Sequence, residues 1–154
     1  MSRPFRILLV EDSDTDVQII ARALRESGFD HLLTVASNGL TALDQLRTGN
    51  GFTDLLPDLI LLDLNLPGVD GHEVLGRIKS DPGLKAIPLV VLSTTRREHE
   101  VWQSYQAGAN TFIQKPADFD SYRELAHALR LYWRDIAQRP GPPPGPGIPP
   151  SSMA

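Results

Sequence analysis

Three short runs in this chain are apolar at consecutive positions, and they constrain its fold more than any other feature. They are FRILLV (Phe5–Val10), DLILLD (Asp58–Asp63) and PLVVLS (Pro88–Ser93). A strand with one wet face alternates polar and apolar residues, whereas a strand apolar on successive residues is covered on both faces. HLLTVA (His31–Ala36) and the short TFIQ (Thr111–Gln114) read as two further strands.

The intervening segments repeat at helical spacing. Ser13 or Asp14 can cap a helix carrying Val17, Ile20, Ala21 and Leu24, and Gly28 ends it. Asn38 can cap the next, with Leu40, Leu43 and Leu46. The loop TGNGFTDLLP leads into the third strand, and Pro67-Gly68 makes a turn after it. Val74, Leu75 and Ile78 mark a helix near Gly71–Lys79. Val101, Trp102 and Tyr105 lie on a helix that stops at Gly108, and Phe119, Tyr122, Leu125, Ala126, Leu129 and Trp133 repeat to about Ala137. Strand and helix therefore alternate five times. Strands buried on both faces need helices on both sides of a parallel sheet, and right-handed crossovers make that a doubly wound α/β fold. Ligands in such folds bind outside the carboxyl ends of the strands.

Composition narrows the chemistry. The chain of 154 residues has room for one ordinary domain, with 41% hydrophobic residues to build its core. A net charge of −4 gives no general basic field for nucleic acid, and the absence of cysteine excludes disulfides, thiolate catalysis and zinc-thiolate sites. The N-terminal apolar run is too short for a signal peptide and no window reaches membrane-spanning length, so the reading is a cytoplasmic protein. From Arg139 the chain reads RPGPPPGPGIPPSSMA. Proline withholds a backbone donor and glycine buries nothing, so residues 138–154 are expected to form a disordered, polyproline-like tail behind a domain at 1–137.

Four strands end in residues of definite chemistry. Glu11 and Asp12 follow the first strand, Asp63 ends the third with Asn65 just beyond, Ser93 and Thr94 close the fourth, and Lys115-Pro116 follows the fifth. The acidic run continues into the first helix with Asp14 and Asp16. Taken singly, each has a plainer role. Glu11 or Asp12 could cap a helix, Asp63 could start a turn, Ser93 could finish a strand, and Lys115 could be a solvated surface lysine. Gathered on one rim, Glu11, Asp12 and Asp63 would repel unless a cation sat among them. Hard oxygen donors without histidine or thiolate point to Mg2+. A carboxylate can take a phosphoryl group as an aspartyl phosphate, with ammonium, hydroxyl and metal offsetting charge on the phosphoryl oxygens.

The motifs LLVED, LILLDLNLPGVDG, VVLS and GANTFIQKP, in that order, resemble the receiver domain of two-component response regulators, the CheY-like superfamily. The resemblance spans roughly residues 4–137 and implies a flavodoxin-like sheet of order 2-1-3-4-5. It implies Asp63 as phosphoacceptor, Asp12 as a direct and Glu11 as a largely water-mediated metal ligand, and Asn65 as the donor of a backbone carbonyl to the metal. Ser93 and Phe112 take the places of the switch hydroxyl and the aromatic switch, and Lys115 that of the lysine that pairs with the phosphoryl group. The family also implies a cis bond at Lys115-Pro116. Glu11 replaces the commoner aspartate. Thr94 stands where many receivers carry alanine, and its β-branch is expected to narrow access to Asp63 and alter dephosphorylation.

The resemblance further implies a stand-alone receiver that catalyses its own phosphorylation without being a turnover enzyme, with a sensor histidine kinase upstream and an unidentified protein downstream. The loop TGNGFTDLLP and the run SDPGLKAIPLVVLSTT resemble the subgroup served by phytochrome-type kinases. The fourth helix, fifth strand and fifth helix would form the signalling face. Trp102, Tyr105, Tyr122, Tyr132 and Trp133 fall in that region and suggest a homodimer, because aromatics are enriched at interfaces. A rival is a haloacid-dehalogenase-like, Mg2+-dependent phosphatase. It needs a second acid two residues beyond its nucleophile, after the first strand, and position 65 here is Asn. A flavodoxin-type nucleotide site would need a Gly- or Ser-rich phosphate loop where this chain has EDSDTD.

Overall fold

A computed structural model describes residues 4–48 and 56–140. Five parallel strands, β1 (Phe5–Val10), β2 (His31–Ala36), β3 (Leu59–Asp63), β4 (Leu89–Ser93) and β5 (Thr111–Gln114), form one sheet of order β2-β1-β3-β4-β5. Helices α1 (Asp14–Glu26), α2 (Gly39–Thr48), α3 (Gly71–Ser80), α4 (Glu98–Gln106) and α5 (Phe119–Leu129) make the crossovers. The expected doubly wound fold and strand order are both present.

Two cores explain the unbroken apolar runs. Leu8, Val10, Ile60, Leu62, Leu89 and Val91 point to one face and pack with Val74, Leu75 and Ile78 of α3 and Leu43 and Leu46 of α2. Ile7, Leu9, Leu59, Leu61, Val90 and Leu92 point to the other, against Ile20, Ala23 and Leu24 of α1 and Tyr122, Ala126 and Leu129 of α5. Each fully buried aliphatic contributes about 1.5–3 kcal/mol relative to exposure, so β1, β3 and β4 anchor the molecule. The outer strands are wetter: Leu32 and Val35 of β2 are exposed, and no residue of β5 is fully buried. An edge position depends on strand order, which the runs alone do not encode.

Local signals set the helix ends. Ser13 caps α1, its side chain accepting from the Asp16 N–H at 3.2 Å, while Glu11 Oε2 accepts the Ser13 N–H at 3.2 Å. Asn38 does the same for α2, with Oδ1 accepting from Thr41 N–H at 2.8 Å. Gly28 (φ 76°) and Gly108 (φ 109°) take the left-handed conformation after α1 and α4.

Three expectations change. The α-helical part of the last helix ends at Leu129 and continues as a π-helical extension, Arg130–Ile136. None of its residues is fully buried; Trp133 packs part-buried against the core, and Arg130 Nη1 donates to Ser27 O at 2.8 Å. Lys115-Pro116 is trans, the lower-energy form of an X-Pro bond, and no cis bond occurs among the described residues. β3 begins at Leu59: the Asp58 N–H still donates to Arg6 O at 2.8 Å, but the Arg6 N–H bonds the buried Asp58 carboxylate, also at 2.8 Å, rather than a main-chain carbonyl. Most of the TGNGFTDLLP loop, and the tail from Gly141, lie outside the described residues. Among the described residues no helix is long and apolar enough to cross a membrane.

Candidate functional site

Parallel register carries four strand ends to one level. Val10 lies opposite Leu62, Asp63 opposite Leu92, and Ser93 opposite Gln114. β1, β3, β4 and β5 are consecutive in the sheet, so the residues that follow them share one rim. β2 lies beyond β1 at the far edge of the sheet.

Oxygens of Glu11, Asp12 and Asp63 lie within 4.8 Å of one another. Glu11 and Asp63 are buried and Asp12 is exposed, so the group has a dry floor and a wet mouth. Lys115 reaches across from β5, its side chain 8% exposed. Its Nζ donates to Glu11 Oε1 at 2.7 Å, Asp16 Oδ2 at 2.9 Å and Asp63 Oδ2 at 3.3 Å. The two oxygens of Asp63 differ, because Oδ1 accepts the Asn65 N–H at 3.0 Å while Oδ2 faces the ammonium. Asp63 thus has the turn-forming role of an aspartate and faces the pocket at once.

The electrostatics follow from this crowding. Burial, together with the neighbouring Asp63, lifts the Glu11 carboxyl to about 7 even though Lys115 opposes the shift. Burial pulls the Lys115 ammonium down, but hydrogen bonds to Glu11 and Asp16 and the Asp63 charge outweigh it and hold the group above its ordinary value. The Tyr122 phenol on α5 is pushed up by burial and then by the Asp16 charge. Carboxylates outnumber the one ammonium among them, and their donors are hard oxygens without imidazole or thiolate. That donor set fits a divalent cation of the Mg2+ or Mn2+ kind.

The remaining residues border the pocket. Ser93 is buried, and its Oγ accepts the Thr95 N–H at 3.2 Å, which leaves the hydroxyl proton free to donate elsewhere. The Lys115 N–H donates to Ser93 O at 2.7 Å and ties the ends of β4 and β5 together. Thr94 is exposed and its Oγ1 accepts from Asn65 Nδ2 at 3.3 Å, a bridge between the β3 and β4 ends that the strand pattern did not reveal. Phe112 is half-buried opposite Val91, packed on the α2–α3 core rather than in the pocket, and its N–H donates to Tyr105 Oη at 3.1 Å. Asp16 was visible only as part of an acidic run. The missed signal is its place in the first turn of α1, just past the Ser13 cap, from which it reaches over the pocket.

Comparison with known proteins agrees with this arrangement. The family model of the response regulator receiver domain matches residues 7–127. The chain is 40% identical over 139 residues to a probable methanogenesis regulatory protein, FilR2, of Methanothrix harundinacea, covering 90% of each chain. It is 38% identical over 138 residues to response regulator Rcp1 of Synechocystis, covering 89% of this chain and 94% of Rcp1. The crystal structure of the phosphorylated cyanobacterial phytochrome response regulator RcpA superposes with a TM-score of 0.82 at 39% identity, over 90% of this chain and 100% of that one. The Mn2+-bound form of Rcp1 gives 0.79 at 37% identity, over 90% and 100%. The haloacid-dehalogenase alternative finds no support, since Asn65 spends its side-chain amide on Thr94 and offers no acid. With the rim residues in the family's order along the whole fold, the chain belongs to the response regulator receiver domain family.

Proposed function

We propose that this protein is a phosphoacceptor in a two-component phosphorelay, taking a phosphoryl group from a sensor histidine kinase onto Asp63. The observation that carries the reading is a nearly dry Asp63 whose Oδ2 lies 3.3 Å from Lys115 Nζ within a cluster of three carboxylates. An oxygen of Asp63 attacks phosphorus and forms an O–P bond; the P–N bond to the donor imidazole breaks, its electron pair stays on nitrogen, and the imidazole takes up a proton. Lys115 supplies positive charge beside the incoming phosphoryl oxygens, and the Ser93 hydroxyl donates its free proton to one of them. Asp12, Asp63, the Asn65 carbonyl and Glu11 would hold the cation, for which Mg2+ is the natural choice. When bound, it offsets charge on the phosphoryl group. The product is a slowly hydrolysed signal, so the chain is not a turnover enzyme.

Ser93 moves toward the phosphoryl group and Phe112 follows on the neighbouring strand, altering the face made by α4, β5 and α5. Trp102 (63% exposed), Tyr105 and Tyr132 lie open in this region, whereas Tyr122 is buried. We assign the homodimer contact to this face; sedimentation showing monomer at high concentration, with and without a phosphoryl mimic, would contradict it. RcpA is a phytochrome response regulator, and the resemblance supports a phytochrome-type kinase as donor. The net charge of −4 favours a protein rather than nucleic acid downstream.

The reading is tested by incubating the protein with phosphoramidate and Mg2+ and measuring intact mass. One phosphoryl adduct is expected, lost with chelator and absent in Asp63→Asn. No adduct in the parent, or an undiminished one in the variant, overturns it.

A further inference from the structure

An ammonium group has three N–H bonds, and Lys115 places one on each of three carboxylates. Two of these, Glu11 and Asp63, belong to the cluster assigned to the cation. The third, Asp16, lies outside that cluster yet stands closer to Nζ (2.9 Å) than Asp63 does (3.3 Å). When a cation draws on Glu11 and Asp63, and when Asp63 becomes a phosphoryl ester, Asp16 is the partner whose charge and position do not change. Its side chain is 30% exposed, so it takes part from the lip of the pocket, and its place in the first turn of α1, capped by Ser13, fixes it.

We propose that Asp16 is a positioning residue for phosphoryl transfer. Resting on the assignment of Asp63 as phosphoacceptor, it anchors the flexible Lys115 side chain so that the ammonium stays at the reacting oxygen while its other two partners change role. An unanchored lysine has several rotatable bonds and must be ordered again in each transfer. A plainer role would be to favour the positive helix N-terminus, which would affect stability but not the chemical step.

The two roles separate in the kinetics of phosphorylation by phosphoramidate at saturating Mg2+, measured on the parent, Asp16→Ala, Asp16→Asn and Asp16→Glu. Positioning predicts that the saturating rate falls roughly tenfold in Asp16→Ala, within the hundredfold that a 1 Å misplacement can cost. The donor concentration at half-saturation should stay near the parent's, and Asp16→Glu should recover much of the loss. The isosteric Asn, which keeps an acceptor oxygen and the fold, should lie between. Equal rates in parent and Asp16→Ala, or faster rates in both neutral variants because a repelling charge has gone, overturn the proposal. A parent that takes no phosphoryl group overturns the assignment of Asp63, and this inference with it. A parent labelled at Asp63 beside an unaffected Asp16→Ala overturns this inference alone.

Discussion

The same substitution placed twice on α3 should act with opposite sign. Gly71 begins that helix against the chain just past the phosphoacceptor. A Cβ there would sit 2.4 Å from Leu64 Cα, 2.6 Å from its carbonyl oxygen and 2.8 Å from its carbonyl carbon, whereas ordinary contact begins at 3.4 Å. All three obstacles are main chain, so no rotamer change relieves them. In Gly71→Ala the Leu64 segment must retreat by about 1 Å, at a typical overpacking cost of about 1–3 kcal/mol. At Gly76, five residues on, nothing lies within 4 Å of the added Cβ. Gly76→Ala gains helix propensity and should stabilise by about 0.5–1 kcal/mol. The two variants should therefore differ by roughly 1.5–4 kcal/mol in urea unfolding with unchanged slope. Leu64 lies between Asp63 and Asn65, so Gly71→Ala should also slow phosphorylation while Gly76→Ala does not. A Gly71→Ala protein as stable as the parent, or a Gly76→Ala protein less stable, refutes the packing argument.

Other substitutions probe other parts. Thr94→Ala removes the acceptor of the Asn65 side chain and opens the mouth over Asp63, so the phosphoryl group should be shorter-lived; a lifetime equal to the parent's removes that role for Thr94. Lys79 Nζ donates to Lys85 O, Ile87 O and Asn110 Oδ1, so Lys79→Met should destabilise by about 1–3 kcal/mol in thermal or urea unfolding and leave the phosphorylation rate unchanged.

The order of elements was readable because β1, β3 and β4 are covered on both faces and their apolar runs say so. Strand ends shifted where a special residue competes with the ladder. Asp58 turns its carboxylate to Arg6 N–H, and Pro88 has no N–H to give, although its carbonyl accepts from Ile60 N–H at 2.9 Å. The exposure of Leu32 and Val35 was not readable from the apolar pattern, because it depends on β2 lying at the edge, which only the family resemblance implied. Glu11, Asp12, Asp63, Ser93 and Lys115 were legible together since each ends or follows a strand, and parallel strands deliver their ends to one rim. Asp16 and the Asn65–Thr94 bridge were not. Each depends on where a side chain reaches from a helix turn or loop, which strand patterning does not specify.

The central claim is that carboxylates remote in sequence meet so that one of them accepts a phosphoryl group. Borohydride reduction of the phosphorylated protein, followed by peptide mapping, tests it most directly by marking the residue that carried the acyl phosphate. The mark should fall on Asp63 alone and require the divalent cation. A mark on Asp12, Glu11 or any other carboxylate, or one that forms equally well without the cation, would contradict the account.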